Sequence, residues 1–125
     1  MRDDIAPERP GGVLVVEVRG ELDIGSVLRW TTVVEAAICE LPGPHLLALD
    51  LGMLEFLSIR GAHGVAGVFA LCREHGIAGC LIAQPGSNVE RVVRFTGLAA
   101  RVPVFADRLL ATAAYQPVAV RWLPR

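Results

Sequence analysis

Short apolar runs along this chain alternate with segments in which apolar residues recur every three or four positions. Residues 13–19, 45–51 and 78–83 are largely apolar on both alternating faces. Such runs are typical of strands buried within a parallel sheet. Residues 102–105 form a shorter run that carries Pro103, which favours an edge position. The pattern therefore predicts four strands in succession along the chain.

The segments between these runs carry helical signals. Apolar residues recur at helical spacing up to Leu41, and again over residues 58–75. The sequence Ser-Asn-Val-Glu at residues 87–90 is a capping box, which predicts the start of a third helix. Asp107 is expected to cap a last helix that runs to Ala114.

Strands that alternate with helices predict parallel β-α-β units with right-handed crossovers. We therefore expect an α/β fold, with a small mixed, mostly parallel sheet of four to five strands and helices packed on it. Residues 1–12 are predicted to be an N-terminal arm or an antiparallel edge strand. Residues 13–114 are predicted to be the domain and residues 115–125 a C-terminal tail. Residues 20–23 are expected to break the first strand, and residues 52–57 to form a short connection.

Composition and charge exclude several classes of function. The chain has 125 residues, of which 53% are hydrophobic, and a formal net charge of -1, so we expect one globular domain. All 12 basic residues are arginines scattered along the chain, which argues against nucleic-acid binding and excludes mechanisms that need a lysine. Neither a membrane-spanning run nor a signal peptide is expected. The three cysteines have no framework spacing, so a reduced, cytoplasmic domain is expected.

Patterns for catalysis or ligand binding are weak in this sequence. The GxxGxxG pattern that starts at Gly61 falls inside a predicted helix rather than before it, so it does not form a phosphate-binding loop. Cys72 and His75 stand one helical turn apart near Cys80, which is not the spacing of a zinc finger. Nucleophiles, histidines and acids occur, but no spacing brings them together. We predict a protein that is not an enzyme and holds no metal or cofactor.

Several segments, taken in order, resemble one known family. Residues 20–23 (GELD) follow the first strand, and residues 47–65 (LALDLGMLEFLSIRGAHGV) combine a strand that ends in Asp-Leu with the start of a helix. Residues 95–98 (FTGL) end a later helix. This order, over residues 13–114, resembles STAS domains of the bacterial anti-sigma factor antagonist type.

The resemblance implies a function and a mode of control. Such proteins bind an anti-sigma factor, usually an ATP-binding serine kinase, and so release a sigma factor for transcription. The kinase phosphorylates a serine at the start of the helix after the central strand. This ends the binding because a phosphate adds about −1.5 to −2 charge units to the contact surface.

The sequence departs from the family pattern at the phosphorylated position. With Phe56 and Gly61 aligned on the family's Phe and Gly, Ile59 takes the place of the serine. Ser58 then replaces an aspartate, and Arg60 replaces a second hydroxyl residue. Ile59 cannot accept a phosphate, so we expect an antagonist without the usual switch. Ser58 is either a displaced phosphoacceptor or only the N-cap of the helix.

We expect the partner-binding surface to lie at the start of this helix. The candidate residues there are Ser58, Ile59, Arg60 and His63. Glu21 and Asp23 either frame the same face or cap the first helix. The glycines of GxxGxxG either leave a low-relief surface for a partner or allow close packing within the fold. The protein is expected to be a monomer or a weak homodimer.

Two alternatives remain open from the sequence. Control is either redox-based, through pairing or oxidation of Cys72 and Cys80, or absent, with a constitutively active protein controlled by its abundance. The alternative function is a STAS-like scaffold that binds another protein or a small ligand such as a nucleotide.

Overall fold

The computed structural model describes residues 5–6, 13–40 and 46–114 of the chain. In chain order the strands are β1 (Ile5–Ala6), β2 (Val13–Glu17), β3 (Gly20–Leu22), β4 (Leu46–Asp50), β5 (Leu54–Leu57), β6 (Ala78–Ile82) and β7 (Val104–Phe105). The helices are α1 (Val27–Glu40), α2 (Ile59–Glu74), α3 (Asn88–Phe95) and α4 (108–114), with a 3-10 turn at Leu98–Ala100. The tail at 115–125 and most of the N-terminal arm lie outside the described residues, and the domain boundaries stay a prediction.

Five strands form the main sheet in the order β1-β2-β4-β6-β7. β1 runs antiparallel to β2, with Ile5 opposite Val16, and the other neighbouring strands are parallel. Every residue of the central strand β4 is buried, which explains a run that is apolar on both faces. The prediction of a mixed, mostly parallel sheet with packed helices is confirmed.

β3 and β5 form a separate two-stranded parallel sheet. The predicted break at residues 20–23 and connection at residues 52–57 were wrong, because both segments contain strands. Gly20, with a φ of 79°, lets the chain turn between β2 and β3. Leu22 then lies opposite Leu57, and both side chains are buried. Each strand is too short to show alternation, so only the pairing between distant segments reveals it.

The helices cover the two faces of the main sheet unequally. The larger core cluster joins the sheet to α1, α2 and α3, and includes Leu47, Leu49, Leu81, Val34, Val65, Phe69 and Val93. The smaller cluster lies on the other face, where α4 packs, and comprises Leu46, Ala48, Cys80, Ile82 and Ala111. Full burial of one such aliphatic side chain is worth about 1.5–3 kcal/mol. Most of the apolar stabilisation among the described residues therefore comes from the first face.

Glycine allows two close contacts of α2. A Cβ at Gly64 would lie 2.3 Å from Cγ2 of Val27 in α1. A Cβ at Gly79 of β6 would lie 2.3 Å from the ring of Phe69 in α2. Both contacts leave no room for a methyl group, so a larger residue at either position would push α2 away from its neighbour.

Candidate protein-interaction surface

Ser58 connects β5 to α2 and caps the helix. Its Oγ accepts a hydrogen bond from the backbone N of Gly61 at 2.9 Å, the geometry of an N-cap. The same hydroxyl donates to the carbonyl of Leu22 at 3.4 Å, and the Ser58 backbone N donates to that carbonyl at 3.0 Å. The half-buried hydroxyl is therefore engaged both as an acceptor and as a donor within the fold.

The first turn of α2 rests directly on the end of β3. A Cβ at Gly61 would lie 2.2 Å from the carbonyl oxygen of Leu22, a backbone atom that cannot move aside cheaply. A Cβ at Gly67, by contrast, would meet nothing within 4 Å. Of the three glycines in GxxGxxG, Gly61 and Gly64 thus serve packing within the fold. Only Gly67 faces open space.

Ile59, Arg60 and His63 lie on the outer side of the first turns of α2. All three are exposed, and the apolar side chain of Ile59 is 49% exposed. Neither Arg60 nor His63 forms an ion pair within the part of the chain that the structure describes. The start of α2 therefore exposes the apolar side chain of Ile59, the guanidinium of Arg60 and the imidazole of His63 to solvent.

A groove between α1 and α2 extends this exposed region. Arg60 and His63 line it from α2, Leu28 from the first turn of α1, and Ile24 from the turn that precedes α1. Ile24 is 69% exposed and Leu28 is 75% exposed, although both are large apolar residues. Neither residue is among the contact residues predicted from the sequence. One signal in the sequence could have indicated the exposure of Leu28. Leu28 falls outside the helical spacing that places Val34 in the core.

The β3–β5 pair, which leads into α2 through Ser58, adds further exposed side chains. Glu21 lies opposite Phe56, and the register shifts by one residue there, so that Glu55 is the extra residue of β5. Glu21, Glu55 and Phe56 are all exposed, Phe56 by 49%. We call the exposed residues around the start of α2 the entry surface: Ile24, Leu28, Glu55, Phe56, Ile59, Arg60 and His63.

Asp23 is occupied by the turn that leads into α1. Its Oδ1 accepts hydrogen bonds from the backbone N of Gly25 at 2.9 Å and of Ser26 at 3.1 Å. Ser26 then starts the helix, because its carbonyl accepts from Trp30 N at 3.0 Å, while its hydroxyl donates to the Glu21 carbonyl at 2.9 Å. Asp23 thus has the local contacts of a capping residue, whereas the exposed Glu21 borders a separate groove that Arg29 and Trp30 of α1 also line.

Cys72 and Cys80 are separate free thiols on opposite faces of the main sheet. Cys72 of α2 belongs to the larger core cluster, and Cys80 of β6 to the smaller one. Burial raises the pKa of each thiol to about 11, with the nearby Arg73 opposing the shift at Cys72. Raised pKa values keep both thiols protonated and unreactive at neutral pH. This arrangement gives no support to a disulfide between them.

A second group of charged residues lies where β2 and β4 end. The carboxylate of Asp50, at the end of β4, accepts from the guanidinium of Arg108 at 2.5 Å and from Gly52 N at 2.9 Å. Arg108 also pairs with Glu17 at 3.4 Å, and Glu17 with Arg19 at 3.1 Å. We call Glu17, Arg19, Asp50 and Arg108 the carboxyl-edge cluster. It ties the start of α4 to the main sheet.

No group of three or more His, Cys, Asp or Glu side chains in residues 13–40 and 46–114 is placed to hold a metal ion. Within the same ranges, none of the helices combines the length and the apolar character needed to cross a bilayer.

The family model of the STAS domain matches residues 4–110 of this chain. The match covers most of the sequence, and it agrees with the order of strands and helices described above. The chain therefore belongs to the STAS domain family. Among curated proteins no significant match to the chain was found.

Solved structures share the fold at low sequence identity. An anti-sigma factor antagonist from Mycobacterium paratuberculosis is 22% identical, with a TM-score of 0.73, and the match covers 90% of this chain and 91% of that one. The antagonist SpoIIAA of Bacillus, in its unphosphorylated form, is 18% identical with a TM-score of 0.68, covering 88% and 95%. The STAS domain of a SulP transporter from Vibrio cholerae is 18% identical with a TM-score of 0.67, covering 92% and 88%.

Proposed function

We propose that this chain is a bacterial, cytoplasmic anti-sigma factor antagonist. It binds an anti-sigma factor of the ATP-binding serine-kinase type through the entry surface, and so releases a sigma factor for transcription. It acts by binding alone and is not an enzyme. The STAS family membership and the shared fold with solved antagonists support the proposal.

The observation that carries the proposal is the exposure of Ile59 and Arg60 at the first turn of α2. An apolar side chain that is 49% exposed, beside a guanidinium that no described residue pairs with, is suited to a protein contact and does little for the fold. Ile24 and Leu28 widen the apolar area across the neighbouring groove. Burial of these side chains against a partner would supply the binding free energy.

Control by phosphorylation of this turn is not part of the proposal. Ile59 has no hydroxyl, and the Ser58 hydroxyl holds Gly61 N at 2.9 Å as the helix cap. A phosphate on Ser58 would remove the hydrogen that the hydroxyl donates to the Leu22 carbonyl, and would place its negative charge beside that carbonyl oxygen. Regulation then depends on the amount of free antagonist, unlike SpoIIAA, which has been solved in both unphosphorylated and phosphorylated forms.

A pull-down with the tagged protein, from the cytosol of the organism that encodes it, tests the proposal. We expect recovery of an ATP-binding anti-sigma kinase, with an intact bait mass that shows no phosphate. A bait that carries one phosphate would instead identify Ser58 as a displaced acceptor, to be checked with Ser58→Ala. Recovery of no such kinase would favour the alternative of a STAS-like scaffold with another protein or small-molecule ligand.

The contact surface is tested with the recovered kinase and two charge variants of α2. Ile59→Glu places a charge in the apolar contact, and we expect it to weaken binding by at least about tenfold, or 1.4 kcal/mol. Arg73→Glu changes the charge at the far end of the same helix, about 20 Å away, and serves as the control. Equal affinities of wild type and Ile59→Glu, measured by calorimetry, would show that the surface lies elsewhere.

A further inference from the structure

We infer that the anti-sigma factor contacts this chain through an acidic segment, which lies across the outer face of α2 and occupies a groove on each side of that helix. The inference rests on the proposed function and deepens it, because it names the chemistry of the partner's contact and extends the surface beyond the start of α2. Three features carry it: the pair of grooves, the charges that line them, and a glycine without a packing role in the described fold.

A groove lies on each side of α2. The first, between α1 and α2, includes the exposed apolar side chains of Ile24 and Leu28. The second lies between α2 and the segment that ends α3 and continues into the 3-10 turn. The described residues that line the second groove are Ala62, His63, Ala66, Gly67, Ala70, Thr96, Leu98 and Arg101. His63 borders both grooves, so one bound segment can reach the two of them.

The permanent charges that line these grooves have one sign. Arg60 lines the first groove and Arg101 the second, and no acidic residue is among the described residues that line either one. Both arginines are exposed, and neither forms an ion pair within residues 13–40 and 46–114. Glu55, the exposed acid of the entry surface, borders neither groove. The two guanidiniums are therefore available to a partner.

Other grooves of the molecule have charges of both signs. Glu17 and Glu21 line the groove between the end of β2 and α1, together with arginines. Asp50 and Asp107 line the groove at the carboxyl-edge cluster, together with Arg108. Guanidiniums without acids are thus a local property of the α2 face, in a chain whose net charge is only -1. The complement of this face is a segment that carries carboxylates, since a guanidinium binds a carboxylate through two parallel hydrogen bonds.

Gly67 allows another chain to approach α2 closely. It lies in the interior of the helix, where glycine costs about 1 kcal/mol relative to alanine. A Cβ at Gly67 would meet nothing within 4 Å, so packing within the described fold does not explain the glycine, whereas close contacts explain Gly61 and Gly64. Gly67 lines the second groove, and without a side chain it leaves room there for the backbone of a bound segment.

The apolar and the charged contacts have different roles in this arrangement. Burial of Ile24 and Leu28 supplies binding free energy with little selectivity. Arg60 and Arg101 supply the selectivity, because a partner without carboxylates at the matching positions would leave both guanidiniums desolvated and unpaired. The two arginines therefore determine which anti-sigma factor is recognised.

Calorimetry with the anti-sigma factor recovered in the pull-down tests the charged contacts. We expect Arg60→Ser and Arg101→Ser each to weaken binding by roughly tenfold at low ionic strength. The wild-type affinity should fall between about 0.05 M and 0.5 M salt, because salt screens the attraction, and the affinities of the three proteins should then lie closer together. Arg73→Ser, on the same helix but outside both grooves, is the matched control and should bind like the wild type.

Gly67→Ala tests the close approach, because its effects on folding and on binding should have opposite signs. Alanine favours the helix, so the midpoint of urea unfolding should rise. The added methyl group takes the space of the bound segment, so affinity for the anti-sigma factor should fall by roughly fivefold or more. A loss of binding in a more stable protein does not reflect an unfolded chain.

Two results would overturn the inference while the proposed function holds. One is an anti-sigma factor that binds Arg60→Ser, Arg101→Ser and Gly67→Ala as tightly as the wild type. The other is a wild-type affinity that does not change with salt. Circular dichroism of each arginine variant checks that the fold is intact.

The same variants, used as baits in the pull-down, separate this inference from the proposed function. A protein other than an anti-sigma factor, retained by the wild-type and Arg73→Ser baits but lost from Arg60→Ser and Arg101→Ser, would support the α2 grooves as the contact surface and reject the proposed function. A wild-type bait that recovers no protein would overturn both.

Discussion

Charged residues are used in opposite ways at the carboxyl-edge cluster and at the entry surface. In the cluster, Asp50 is only 7% exposed, and its two oxygens are bound by Gly52 N and Arg108. At the entry surface, Glu55 and Arg60 face solvent and have no ion-pair partner in the described part of the protomer. Large apolar side chains are exposed beside them.

The difference separates residues that hold the fold from residues that are free for a partner. A charge removed from water needs a compensating partner, so the pairing of Asp50 with Arg108 is a condition for its burial. An exposed charge is hydrated by water and needs no partner within the fold. When it lies beside exposed apolar groups, it is suited to contact with another protein. Changes at the two places should therefore separate stability from binding.

The largest effect on stability is expected where the entry surface rests on the fold. Gly61→Ala would drive a methyl group into the carbonyl of Leu22, and we expect a loss of about 2–3 kcal/mol in the free energy of unfolding. Gly67→Ala is the matched control, because its methyl group meets nothing and alanine favours a helix. It should gain about 0.5–1 kcal/mol. Urea unfolding measures both, and equal stabilities would contradict the close contact at Gly61.

A smaller effect is expected at the carboxyl-edge cluster. Asp50→Ala removes the charged hydrogen bonds to Arg108 and Gly52, which should cost about 2 kcal/mol in the free energy of unfolding. Arg94→Ala, which breaks the surface pair with Glu90, should cost no more than about 0.5 kcal/mol. Neither variant should change affinity for the anti-sigma factor by more than a small factor. A large loss of affinity in Asp50→Ala would show that the carboxyl-edge cluster also takes part in partner binding, which contradicts the comparison.

The smallest effect is expected at Ser58. Ser58→Ala removes the cap on Gly61 N, and should lower the free energy of unfolding by about 1 kcal/mol while leaving partner binding intact. Ser58→Asp, the residue type that the family pattern carries here, keeps a capping oxygen and should recover most of that loss. Thermal unfolding followed by circular dichroism gives the comparison. Full stability of Ser58→Ala would mean that the hydroxyl contributes little as a cap.

Much of the fold could be predicted because its signals are local. The apolar run that became β4, the capping box at the start of α3 and the stop near Gly76 each depend on residues close together in the chain. Ser58 as an N-cap is a local signal too. The two-stranded sheet was missed because its strands are short and pair only with each other.

The candidate site was predicted in part for the same reason. Ile59, Arg60 and His63 follow from the order of motifs along α2, and their shared exposure agrees with that reading. Leu28 and Phe56 were missed, since an apolar residue in a helix or strand is expected to face the core until the packing is known. Asp50 illustrates the converse, because its position at a strand end does not reveal that Arg108 binds it.

The sequence by itself determined the order of the helices and of the main-sheet strands from β2 onward, the caps at helix ends and the absence of a phosphorylatable residue at position 59. These properties depend on backbone preferences and side-chain chemistry over a few neighbouring residues. Only the tertiary structure decided that β3 pairs with β5, that Cys72 and Cys80 lie on opposite faces of the sheet, and that Ile24 and Leu28 share a groove with Arg60 and His63. Each of these depends on contacts between segments far apart in the chain, which form only when the core packs.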